Sequence, residues 1–245
     1  VLRTRELVKR FGAHRAVDGV DLEIRPGTLH AIIGPNGAGK TTLFNLLSGE
    51  ARPSGGTIAF GGRDVTRLDA TARSHLGLGR SFQRTNVFPK LSVFENVRLA
   101  AQSRTRDSFA LWRTAASLDA VNERAERALA EFGLLERRAL LAGELAGGEQ
   151  RLLELALTLA TDPVLLLLDE PSQGLSPEDA RRLIDRIGTL AARYTIVLIE
   201  HNMPLVMSLA DEITVMNFGR VLAHGTPAEI RANADVRAAY LGKRG

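Results

Sequence analysis

Hydrophobic and polar residues alternate from Val17 to Ile24, with Val20, Leu22 and Ile24 in step, which predicts a strand with one buried face. Pro26 and Gly27 then mark a turn. Leu29 to Ile33 is a short β-prone run that stops at a glycine-rich loop. Beyond it, Thr41 to Ser48 has helical character and is closed by Gly49. Arg52 to Gly56, rich in Pro and Gly, reads as a hairpin connection. From about Thr66 to Leu145 the pattern shifts to Ala- and Leu-rich helical spacing with Arg and Glu interspersed. Val121 to Phe132 is its clearest amphipathic stretch, and Gly133 is the expected stop. Arg104 to Ala115 is polar and irregular, as a mobile loop would be. Helical spacing returns over Glu149 to Ala160. Val164 to Leu168 reads as a buried strand, Pro177 to Leu190 as a helix with Pro in its first turn, and Thr195 to Ile199 and Ile213 to Met216 as further strands.

Strands alternating with helical stretches predict an α/β protein with a largely parallel sheet. The expected division is an α/β core of residues 1–82 and 162–245 around a mostly helical subdomain, 83–161. A chain of 245 residues can bury a core of that size, and it holds no convincing repeat or low-complexity segment. There is no cysteine, which excludes disulfides and Cys-ligated metal and fits a reducing compartment. The longest aliphatic run, Val164 to Leu168, is far short of the roughly 20 residues of a membrane span. Val1 to Arg10 is charged and lacks the apolar stretch of a signal peptide, and the missing initiator Met suggests numbering that begins just inside the native start. The net charge of +4 would permit contact with nucleic acid or anionic lipid, but basic residues are scattered among acidic ones, as on a solvated surface.

Candidate chemistry begins at Gly34-Pro35-Asn36-Gly37-Ala38-Gly39-Lys40-Thr41, which satisfies G-x-x-x-x-G-K-[ST] between an apolar strand and a helix. The glycines let the backbone turn its N–H groups around phosphate oxygens, and the positive end of the following helix adds attraction. Lys40 supplies a cation to the β- and γ-phosphates of ATP, and the Thr41 hydroxyl can join a Mg²⁺ shell. Thr42, next in the chain, is grouped with the phosphate-binding residues. Leu165 to Leu168 then leads into Asp169 and Glu170, two acids at the carboxyl end of an apolar strand, where ligands of parallel sheets bind. Asp169 is expected to hold Mg²⁺, and Glu170 to orient and deprotonate the water that attacks the γ-phosphate. An acidic turn before Pro171 is the competing reading of this pair taken alone. Between these motifs, Leu145-Ala146-Gly147-Gly148-Glu149-Gln150 precedes a helical pattern. Paired glycines are poor helix formers, and taken alone they read as a Gly-rich turn in a loop; they also suit a helix start that must approach another group closely.

The order of these features, with Gln83 after the phosphate loop and His201 after a late strand, resembles the ABC ATPase family over essentially the whole chain. The resemblance implies a phosphate-loop NTPase core with an inserted helical subdomain and an N-terminal antiparallel β region. It implies that Gln83 senses Mg²⁺ and γ-phosphate and passes movement to membrane subunits, and that His201 contacts γ-phosphate. It also implies that two copies, alike or sister subunits, face each other head to tail. Ala146, Gly147 and Gly148 of one would close over ATP held by the other. Phe11 lies where the family often stacks an aromatic ring on adenine, with an ordinary core phenylalanine as the alternative, and Val17 is expected against the same base. Two positions depart from the family pattern. Ala146 stands at the usual signature serine with Glu149 inserted before Gln150, and Ser176 stands where the loop Gln173-Gly174-Leu175-Ser176 often carries aspartate.

Leu198-Ile199-Glu200-His201-Asn202-Met203 with Val206-Met207, and the tail from Leu222 to Ile230 and Asp235 to Gly242, look like the ATPases of branched-chain (hydrophobic) amino acid importers. Urea, amide and lipopolysaccharide-transport ATPases have similar tails. The implied partners are integral membrane permease subunits docking near Gln83 to Leu91, where Phe82, Val87 and Phe88 line a groove or pack internally, and indirectly a substrate-binding protein. The implied location is peripheral, on the cytoplasmic face of the inner membrane, with the isolated chain soluble. Soluble ABC ATPases that act on DNA or ribosomes usually carry coiled-coil or zinc insertions or two cassettes, and neither is present, so no nucleic-acid partner is expected. A phosphate-loop kinase would lack the Gly-Gly helix start and the late histidine.

Overall fold

The computed structural model describes residues 1–81, 87–103 and 115–241. In chain order the elements are β1 (Leu2–Phe11), β2 (His14–Ile24), β3 (Leu29–Ile33), α1 (Lys40–Ser48), β4 (Gly55–Phe60), β5 (Arg63–Asp64), α2 (Ala70–His75) and β6 (Leu78–Arg80). They continue with α3 (Val93–Ser103), α4 (Ala115–Glu131), α5 (Gly147–Ala160), β7 (Leu165–Asp169), α6 (Pro177–Ala191) and β8 (Thr195–Ile199). The last are α7 (Met203–Leu209), β9 (Glu212–Asn217), β10 (Arg220–Gly225), α8 (Pro227–Ala232) and α9 (Ala234–Leu241).

The strands form a six-stranded sheet, order β10-β9-β3-β8-β7-β6, and a four-stranded sheet, order β2-β1-β4-β5. All pairings from β6 to β9 are parallel, β10 returns antiparallel on β9, and the smaller sheet is antiparallel. Successive residues of the central strands feed two cores. Leu29, Ala31 and Ile33 join one, with Leu166, Leu168, Ile196 and Leu198, while Ile32, Leu165, Leu167, Val197 and Ile199 join the other. A strand buried on both faces reads as a continuous apolar run, which is why β3, β7 and β8 were legible without any alternation.

The first core lies against α3, α4, α5 and α6, and the second against α1 and the antiparallel sheet. Helix α4 ends at Gly133, whose N–H donates to the Ala130 carbonyl while Leu134 N–H donates to Leu129. The predicted helical stretch from about Thr66 opens with α2 and is then interrupted by a strand. β6, at Leu78–Arg80, pairs with β7 and extends the sheet. Arg73 on α2 is fully buried and donates to the Leu46 and Leu47 carbonyls at 2.6 and 2.7 Å, closing the negative end of α1. Burial pushes its guanidinium down to about 10. Gln83, Phe82 and the expected loop from Arg104 lie outside the described residues; Ala115, its last member, opens α4.

Candidate active site

Strand β3 runs up the middle of the larger sheet and delivers the chain to Gly34. A side chain at Gly34 (φ 155°) would stand 2.3 Å from the Met216 carbonyl, and one at Gly39 (φ 97°) 2.2 Å from the Ala16 carbonyl. Only glycine fits either position, so neighbouring backbone presses the loop into its turn. The β9–β10 turn supports it from behind, with Gly219 N–H donating to Ala38 O at 3.0 Å and Asp18 N–H to Gly219 O at 2.8 Å. Gly39 caps α1 without any side-chain hydrogen bond, so the first-turn amides of Lys40, Thr41 and Thr42 are not used by a capping side chain.

Lys40 is buried, and its Nζ donates to the Gly34 and Pro35 carbonyls at 2.8 and 3.1 Å. Burial pushes its ammonium below the usual lysine range, while Glu170 and Asp169 pull the other way. Both carboxylates therefore act on the loop's cation. A cleft of about 440 Å³ is lined by the loop from Asn36 to Thr42 with Phe11, His14, Ala16, Glu170 and His201. Gly34 and Pro35 do not line it.

Asp169 ends β7 and is fully buried, its Oδ2 3.5 Å from Arg80 Nη2. Glu170 follows with φ 47°, a left-handed conformation unusual for a residue with a side chain. It is held there by its N–H donating to Ile199 O at 2.9 Å and its carbonyl accepting from Gln173 N–H at 3.0 Å. The turn aims Glu170 across the cleft, where His201 Nε2 donates to its Oε1. Strain of this kind concentrates at functional sites. Glu200, nearly buried, accepts from Ser172 N–H at 3.0 Å and from His201 N–H at 3.1 Å, tying the strand ends together.

Phe11 is 57% exposed with Lys9 Nζ 5.2 Å from its ring centre, which excludes the core alternative. Val17, expected beside the base, is fully buried in the second core instead. Alternation along β2 turns Val17 inward and gives the cleft position to Ala16. His14 and Ala16 escaped the sequence reading, although the same alternation carried the signal for Ala16.

The signature residues are elsewhere. Ala146 caps α5 with Gly147 and Gly148 in its first turn. Gly147 and Gly148 line a second, polar cleft of about 360 Å³ with Gln173, Gly174, Ser176 and Asp179, sharing no residue with the first. A Cβ at Gly148 would fall 2.6 Å from the Asp179 carboxylate carbon, whereas Gly147 faces open space. The two departures from the family pattern have local causes. Glu149 accepts from Ala146 N–H at 3.2 Å, so it closes the helix start that alanine cannot cap. Ser176 caps α6, its Oγ accepting from Asp179 N–H at 3.1 Å. Arg151, also unforeseen, links α5 to the carboxylate turn by donating to the Pro171 carbonyl at 3.1 Å while pairing with Glu154 at 2.6 Å.

A third groove, about 380 Å³ and mostly apolar, lies between α1, α2 and β6 on one side and α3 and α5 on the other. Phe88, 61% exposed, and Leu99 stand in its wall. Val87 packs against the first core. Among the described residues no helix is long and apolar enough to cross a membrane, and no cluster of three His, Asp or Glu could hold a metal by itself.

The model of the ABC transporter family matches residues 17–173, and residues 220–245 match one described as branched-chain amino acid ATP-binding cassette transporter. The chain is 42% identical over 250 residues to the high-affinity branched-chain amino acid transport ATP-binding protein LivG of Salmonella typhimurium, covering 99% of this chain and 98% of that protein. It is 40% identical to BraF of Pseudomonas aeruginosa, which bears the same description, over the same shares. The ADP conformation of an ATP-binding cassette of an ABC transporter superposes with TM-score 0.86 at 29% identity, covering 99% of both chains. With a nucleotide cassette matched over its full length, the chain belongs to the ABC transporter family as an ATP-binding subunit that hydrolyses ATP.

Proposed function

We propose that the chain binds ATP with Mg²⁺ in the phosphate-loop cleft, pairs head to tail with a second ATPase subunit, and powers import of branched-chain or other hydrophobic amino acids. The observation that carries the pairing is the separation of the two clefts. The phosphate loop, Glu170 and His201 share one, while Gly147 and Gly148 line another with no common residue. A single chain therefore presents half of two sites. Two copies related head to tail would complete both.

In this reading the loop amides and Lys40 hold the phosphates, Phe11 takes the base, Glu170 removes a proton from the attacking water, and His201 orients Glu170. The donor set suits a hard cation: Thr41 lines the phosphate cleft, Asp169 at the end of β7 acts electrostatically on Lys40, and both offer oxygen. When bound, Mg²⁺ neutralises phosphate charge, and these two residues with Gln83 would hold it. Ala146, Gly147 and Gly148 would approach the partner's ATP through backbone N–H groups, with no hydroxyl at Ala146. Hydrolysis then separates the γ-phosphate from the contacts that closed the pair, and like charges at the interface favour opening.

The division into a core of 1–82 and 162–245 and a helical part of 83–161 remains our proposal for the rigid units. The groove beside Phe88 would seat permease subunits, placing the chain peripherally on the cytoplasmic face of the inner membrane. A substrate-binding protein would act indirectly, through those permeases. The cargo assignment rests on likeness to LivG and BraF along the whole length and on the match of the C-terminal stretch. Uptake of labelled leucine by cells lacking this chain tests it. Restoring the unaltered chain should recover uptake and restoring Glu170→Gln should not. Normal leucine, isoleucine and valine uptake in the deleted strain would overturn the cargo.

A further inference from the structure

Arg80, the last residue of β6, is 10% exposed in its side chain and stands between two acids. Its Nη2 lies 3.5 Å from Asp169 Oδ2, and its Nη1 lies 3.2 Å from Glu50 Oε2 and donates to Ser48 Oγ at 2.7 Å. Its Nε is buried without a hydrogen-bond partner among the described residues. A guanidinium keeps its charge at any ordinary pH, so one permanent cation is divided between a fully buried carboxylate and a partly exposed one. The contact to Asp169 is the looser of the two.

We propose that Arg80 is a positioning residue for Asp169, and that Glu50, by sharing its charge, sets how strongly the site takes Mg²⁺. The inference rests on the reading of Asp169 as a metal-holding carboxylate. A cation beside that carboxylate competes with another for the same negative charge, and linkage makes the competition reciprocal. Glu50 relieves it by drawing Arg80 toward α1. Arg80 and Glu50 also form part of the wall of the groove beside Phe88, so this shared charge lies where a docked partner would meet it.

The test is a Mg²⁺ titration of binding of a non-hydrolysable ATP analogue to the purified chain, with affinity in excess chelator as the baseline. Glu50→Gln leaves Asp169 as the one acidic partner of Arg80 among the described residues, beside the Ser48 hydroxyl, and should raise the Mg²⁺ concentration at half-effect by about fivefold, with the chelator baseline unchanged. Arg80→Gln removes the competitor and should lower that concentration by about the same factor. The double variant should follow Arg80→Gln. Opposite signs are the mark of shared charge, since general loosening would move both variants the same way. Glu50 is partly exposed, so its variant tests the proposal even if Arg80→Gln does not fold. An unshifted or left-shifted Glu50→Gln curve overturns the proposal alone. If the unaltered chain binds no nucleotide even in chelator, the reading of the cleft falls and takes the proposal with it.

Discussion

Glu170→Gln is expected to bind ATP about as well as the unaltered chain while hydrolysing it about 10²- to 10⁴-fold more slowly. The substitution keeps size and backbone, so the left-handed turn fixed by Ile199 and Gln173 should survive. What disappears is the carboxylate that can accept a proton. His201 would still meet a polar atom at the same place, because the amide oxygen of glutamine accepts as the carboxylate does. Steady-state phosphate release against equilibrium nucleotide binding separates the two effects. A variant that turns over at the normal rate would remove Glu170 from the chemistry and leave its strained turn without a function.

Lys40→Ala should lower ATP affinity by about 10²-fold, the scale of losing a charge-assisted hydrogen bond in a desolvated site. Lys40 is buried and held by two carbonyls of its own loop, and burial pushes its ammonium below the usual lysine range. A group that is costly to bury charged is justified by an anionic ligand. Alanine also leaves the Gly34 and Pro35 carbonyls without their donor, so a thermal melt without nucleotide should accompany the binding measurement. Unchanged affinity would show that backbone N–H groups alone hold the phosphates.

Much of this was legible because the strongest constraints are local. The phosphate loop shows in sequence because Gly34 and Gly39 touch neighbouring carbonyls so closely that no other residue fits. Strands β3, β7 and β8 show because both faces are buried. Strand β1 did not. Its alternation breaks at Glu6, where φ is 46° and the register with β2 and β4 shifts, so Leu2–Phe11 reads only as a charged segment. Arg80 and Arg151 escaped for another reason. Each acts on groups far along the chain, Asp169 and Pro171, and no spacing rule connects them. Glu149 reads in sequence only as an insertion before Gln150; the structure makes it the acceptor that starts α5. The separation of the two clefts is a property of tertiary packing, beyond any motif.

The most direct measurement is the mass of Glu170→Gln in solution, by light scattering or sedimentation, with and without ATP and Mg²⁺. With nucleotide the monomer should double in mass, by pairing with itself or with a sister ATPase subunit supplied alongside, and Gly147→Asp, which has open space within the fold but puts a negative charge in the second cleft, should prevent the doubling. A nucleotide-loaded Glu170→Gln chain that stays monomeric, alone, with a sister ATPase subunit and with its membrane subunits, would contradict the head-to-tail site. So would doubling that ignores Gly147→Asp.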